Sequence, residues 1–134
     1  MTIMYLDFQL RSEKVNFDFS DLIYYGEIKK NNIGDINSLT NNIIPYCYWT
    51  CTTTERKSNY LDSDDILKDF YEKIKQNLEK IKERIKKLNL EVYICIVVEK
   101  EHEEDAYSLT ISKEMISFLN EINANLDFDL YVDL

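Results

Sequence analysis

Three aspartates near the end of the chain, Asp127, Asp129 and Asp133, are the side chains best placed to do chemistry, with Tyr131 among them. They alternate with Leu126, Phe128, Leu130, Val132 and Leu134, which puts them on one face of a strand. Carboxylates at i and i+2 on such a face stand ~6.5–7 Å apart, a separation that can flank a hard cation or a basic side chain. The same pattern also describes a solvated face whose charge deters edge-to-edge aggregation. A second acidic set, Glu101, Glu103, Glu104 and Asp105 around His102, falls in a charged turn from Glu99 to Asp105. A turn gives its carboxylates no reason to converge on one ion, so it reads as a solvated hairpin loop or an acidic contact patch. Cys47, Cys51, Cys95 and His102 make an apparent zinc set, but the first two would lie ~13 Å apart along a strand. Buried free thiols beside Trp49 are the better reading. No metal or other cofactor is expected.

The totals remove most enzyme classes. Two glycines, Gly26 and Gly34, cannot write a dinucleotide fingerprint or a phosphate-binding loop. With His102 the sole histidine, any nucleophile–histidine pair would have to run through it. A formal net charge of −9 repels the phosphate backbone and anionic membranes alike, which leaves a basic protein surface as the natural partner. Three cysteines without a plausible pairing fit a reducing, cytoplasmic setting. The first residues lack the basic start of a secretion signal, and the longest apolar run, Val92 to Val98, is too short to span a bilayer.

The elements that must position these residues follow from periodicity. Residues Thr2 to Leu10 alternate like a half-buried strand. Val15 to Phe19 also alternates, and Ser20 to Tyr25 suits a short helix stopped at Gly26. Glu27 to Asn42 reads as an irregular loop, closed by Pro45, and Tyr46 to Thr54 as a strand with Cys47, Trp49 and Cys51 on one face. Glu55 to Leu61 connects to a helix from Ser63 to about Leu88, whose stripe is Ile66, Leu67, Phe70, Ile74, Leu78, Ile81, Ile85 and Leu88. At ~1.5 Å per residue that helix is ~38 Å long, about the ~36 Å breadth of a compact chain this size. Everything else must pack along it.

Glu91 to Glu99 is apolar on both faces and reads as the most buried strand. Tyr107 to Ile111 returns as another strand, and Ser112 caps a helix to about Ile122 with Met115, Ile116, Leu119 and Ile122 inward. From the tryptophan strand onward the order is strand, helix, strand, strand, helix, strand. That predicts one α+β domain over 1–134: a ferredoxin-like, split βαβ antiparallel sheet over 46–134 with both helices on one face. Residues 1–45 would add an extra N-terminal strand and an irregular loop.

The strand around Trp49, the helix start Asp64-Asp65-Ile66-Leu67, the strand Val92 to Val98, Leu109-Thr110-Ile111-Ser112, Phe118-Leu119 and the closing Ala124 to Tyr131 resemble a bacterial family. It is the family known as domain of unknown function 4279, and the likeness covers the last two-thirds of the chain. The resemblance implies a small intracellular bacterial protein of similar topology. It implies no activity and no catalytic residues.

The expected function is that of an interaction protein and not an enzyme. From Glu99 to Leu134 there are ten acids against two lysines, whereas the long helix carries eight bases against six acids. The acidic part suits an immunity or antitoxin-type inhibitor that occludes the basic groove of a cognate toxin, such as a nuclease. A phage-type inhibitor that mimics DNA towards a nucleic-acid-processing complex is the alternative, and metal-dependent chemistry on the aspartates a third. On any binding reading the contact residues would be Asp127, Asp129, Tyr131 and Asp133 with Glu101, Glu103, Glu104 and Asp105. The long helix would be the back layer, with function on the opposite sheet face and strand ends.

Overall fold

The apolar residues of the first strand lie at the centre of the molecule, not at its margin. The computed structural model describes residues 1–102 and 106–132, Val132 by its backbone alone. Strand β1 (Thr2–Ser12) buries Met4, Leu6, Phe8 and Leu10 completely on one face. It is paired on both sides, antiparallel to β3 (Cys47–Thr52) and to β6 (Glu91–Lys100). Beyond β3 lies β2 (Glu27–Asn31), and β8 (Ala124–Val132) runs parallel to β6 at the other edge. The six-stranded sheet has the order β2-β3-β1-β6-β8, with β4 (Arg56–Ser58) pairing the start of β1.

This α+β sheet departs from the ferredoxin-like plan in two ways. The supposed extra strand β1 separates β3 from β6, and the sheet is mixed because β6 and β8 are parallel. The segment expected as the third core strand, Tyr107 to Ile111, is only β7 (Ala106–Ser108), which pairs in parallel with β5 (Tyr60–Asp62) in a separate ribbon. Both sides of β6 are already taken by β1 and β8, so no place remains for β7 there.

Residues 63–88 are helical as the apolar stripe requires: α1 (Ser63–Ile74), a 3₁₀ turn over 75–77, and α2 (Leu78–Leu88). Seven of the eight stripe residues are buried, Leu88 being the half-buried one. Asp62 caps the start by accepting from the Asp64 N–H, and Asn89 ends the helix at φ 51°. At the 3₁₀ turn Asn77 donates to the Leu22 carbonyl, at 2.9 Å. Asp69 is held by Arg56 at 3.3 Å and accepts from the Tyr25 hydroxyl at 2.9 Å. The second helix is α3 (Lys113–Glu121), capped by Ser112 and followed by left-handed Asn123. Its inner residues are Met115, Phe118 and Leu119, so Ile116, expected inward, is exposed.

Phe70 of α1 packs on Phe8, with ring centroids 5.2 Å apart, and Phe118 of α3 packs on Phe70 and Tyr71. The helices thus share one sheet face. The remainder of that face is covered by the chain around Phe17, Phe19, Leu22 and Ile23, all buried. Neither the strand nor the helix expected there forms; the Leu22 and Ile23 amides both bond the Phe19 carbonyl in a turn, and Phe19 lies against Trp49. The expected irregular loop of 27–42 begins as strand β2, and its remainder is an excursion closed by an Ile36–Ile43 bridge with Leu39 at its exposed tip.

The starts of α1 and α3 are tied together by acids. The Thr110 hydroxyl donates to Asp62 at 2.7 Å, the Ser112 N–H donates to Asp64 at 2.8 Å, and Lys68 pairs with Asp64 at 3.0 Å. Burial opposes ionisation of both carboxyls, yet these bonds prevail and hold them below their ordinary value of 3.8. A depressed folded value stabilises fully above 3.8 and is lost as pH falls through the folded value. Urea unfolding should therefore show a midpoint that is flat near neutrality and drops below about pH 4. Asp64→Ala should cost about 1.5–3 kcal/mol at pH 7 and flatten that drop.

Candidate functional site

The second face of the sheet bears no helix among the described residues. Pairing register brings together side chains far apart in sequence. One row across the strands runs Glu27, Thr52, Asp7, Cys95 and Asp127; the next on one side runs Lys29, Thr50, Gln9, Tyr93 and Asn125; on the other side lie Tyr5, Val97 and Asp129. From these rows Tyr5, Asp7, Gln9, Lys29, Thr52, Cys95 and Val97 floor a trough of about 870 Å³, walled by Gly26, Glu27 and Glu55 and by Asp129 and Tyr131. Four carboxylates line it, those of Asp7, Glu27, Glu55 and Asp129, against the single lysine Lys29.

Asp7 is fixed at its centre, accepting from the Thr52 hydroxyl at 2.9 Å and the Gln9 amide at 2.6 Å. Asp127 and Asp129 point outward and are exposed. Cys95 donates weakly to Asp129, at 3.5 Å. Burial, and then the Asp129 charge, push its thiol up to about 12, so it stays protonated and poorly nucleophilic. The Tyr5 hydroxyl is likewise raised, by burial first and then by Glu99 and Glu55. In both, burial is the larger cause and the neighbouring carboxylates add to it.

Gly26 sets the rim. Its φ is +80°, and a Cβ there would run into the Thr52 carbonyl, so the turn into β2 can approach β3 this closely only with glycine.

The strand-face residues Asp127, Asp129 and Tyr131 fall on the open face as their alternation requires. Glu101 lies one residue beyond the last β6–β8 pair, Lys100–Val132, at the end of the sheet, where it pairs with the N-terminal ammonium at 3.3 Å. Glu103, Glu104, Asp105 and Asp133 lie outside the described residues. Asp7, Glu27 and Glu55 were missed, although the alternation of residues 2–10 already placed Asp7 away from the core. Cys47 and Cys51 are buried on the helix side with Trp49, but Cys95 sits on the opposite face and not beside it. Among the described residues no three His, Cys, Asp or Glu side chains gather in a metal-holding group. Nor is any helix there long and apolar enough to cross a membrane.

Residues 29–133, which include three of these strands and all the helices, match the family described as Domain of unknown function (DUF4279). The chain belongs to that family. The DUF4279 match begins within β2, so it reaches further than the last two-thirds of the chain yet leaves out β1, the strand that supplies Asp7 to the trough. No curated protein and no solved structure matches the chain.

Proposed function

We propose that the protein is an immunity or antitoxin-type inhibitor whose open sheet face occludes the basic groove of a toxic partner, most simply a nuclease. The observation that supports this reading is the segregation of charge between the two faces. The trough holds four carboxylates and one lysine, whereas the helical stretch 63–88 on the back carries eight lysines and arginines against six acids. A surface so divided steers a cationic groove to one side of the sheet and away from the other, which raises the association rate as well as the fit. The raised Tyr5 and Cys95 values fit the same field. Occlusion needs no catalytic group, only carboxylates held in place, as Asp7 is by Thr52 and Gln9.

The test is a titration of the purified chain against the product of the adjacent reading frame, together with co-expression of the two. A complex should form, relieve toxicity and weaken steeply with salt. Reversing Glu27 and Glu55 to lysine should weaken it at least ~10-fold, equal to about 1.4 kcal/mol. Absence of a complex, or affinity indifferent to both salt and charge reversal, overturns the proposal.

A further inference from the structure

We infer that the outer edge of β8 is a docking site for an extended segment of the partner, one that adds a strand and alternates basic with apolar residues. This rests on the inhibitor reading for the partner's identity, but not for the geometry of the edge. Among the described residues β8 is paired on one side only, by β6, along nine residues. Its other side therefore presents unpaired backbone donors and acceptors over ~30 Å. The opposite edge, β2, is shorter at five residues and of mixed charge.

Along Ala124–Val132 there is no proline and no lysine, so the only charges that guard the edge are those of Asp127 and Asp129, which repel an acidic strand and attract a basic one. Its two faces differ in chemistry. Asn125, Asp127 and Asp129 are exposed on the trough side, and Leu126, Phe128 and Leu130 on the helix side are only partly covered, with Leu130 46% exposed. A strand laid beside β8 would set its own alternate side chains next to each row, so lysine or arginine would meet the aspartates and aliphatic residues would meet the leucines.

The same aspartates argue against a second copy as the occupant. A twofold antiparallel pairing of β8 centred on Phe128 sets Asp127 opposite Asp129, twice, and like charges directly opposite destabilise a pair. A basic strand meets the reverse situation at the same positions. The edge is thus closed to itself and open to a cationic partner.

The probe is a synthetic nonapeptide alternating lysine and valine, titrated into the full chain and followed by backbone NMR and hydrogen exchange. Binding should protect amides of β8 and leave those of β2 unchanged. Two further peptides carry N-methyl groups on odd or on even residues. In a strand, alternate amides face the neighbour and the solvent, so one N-methyl series should lose binding at least ~10-fold and the other should keep it. The Asp127→Lys/Asp129→Lys variant should weaken the unmodified peptide at least ~10-fold. Equal binding of both N-methyl series, protection confined to the trough floor, or no binding at all overturns strand addition. Any of these leaves the inhibitor reading to its own test, because occlusion by the trough does not require the edge.

Discussion

Ile74→Asp should leave no cooperative unfolding transition at 25 °C, by far-UV circular dichroism or by urea titration. Ile74 is the last residue of α1, 2% exposed, and lies where the helix tightens into the 3₁₀ turn that carries Asn77 to the Leu22 carbonyl. Removing its aliphatic side chain alone costs about 2–5 kcal/mol. A carboxylate in its place has no partner on the stripe, since the neighbours one helical turn away are Phe70 and Leu78. It must either stay charged in an apolar setting or take up a proton, and each route costs further kcal/mol at neutral pH. The sum approaches the whole ~5–15 kcal/mol stability of an ordinary domain. A protein that remained folded, with a midpoint lowered by less than half, would show that the helix is peripheral to the core.

The reason the helix was legible and the sheet was not lies in what side chains report. Ile66 to Ile85 recur at the period of the helix itself, and Asn89 and Asn123 terminate helices because they tolerate the left-handed conformation. Those are local facts. Strand order is not local, because a strand with one apolar and one polar face looks the same at the middle of a sheet as near its edge. Thr2 to Leu10 alternates much as Leu126 to Tyr131 does, yet the first is paired on both sides and the second on one. The Val92 to Val98 run misled in another way. Apolar character on both faces suggests two covering layers, but on the trough side only Val97 is buried, while Tyr93 and Cys95 are half-buried.

The site was half legible for a related reason. Asp127, Asp129 and Tyr131 share a face by sequence spacing alone. Asp7 joins them only through the pairings of β1 with β6 and of β6 with β8, and Glu27 through those of β2 with β3 and of β3 with β1. These are contacts between segments some twenty to ninety residues apart, while Glu55 follows β3 in the connection to β4. No local pattern carries that information. The long helix, net basic by two in the sequence, lies on the face away from the trough's carboxylates.

Phe8→Ala should destabilise the protein by about 3–5 kcal/mol, measured as a lowered urea midpoint with an unchanged slope. The size of that effect distinguishes a central β1 from an appended one. Phe8 is fully buried, and its ring meets Trp49 of β3 at 6.5 Å and Phe70 of α1 at 5.2 Å, so it joins the helix layer to two strands at once. Truncation leaves a cavity among rigid aromatic neighbours that collapse poorly, which places the cost at the upper part of the range. An N-terminal strand merely added to the margin of a self-sufficient core would lose less than ~1.5 kcal/mol from the same change. The consequence extends to the open face. Asp7 is the residue before Phe8 and points to the other side of the same strand, so a β1 loosened by the cavity would also loosen the carboxylate at the centre of the trough. Partner affinity should therefore fall in Phe8→Ala even at temperatures where the variant is folded, whereas Leu39→Ala, at the exposed tip of the 32–45 excursion, should leave stability within about 0.5 kcal/mol of the parent.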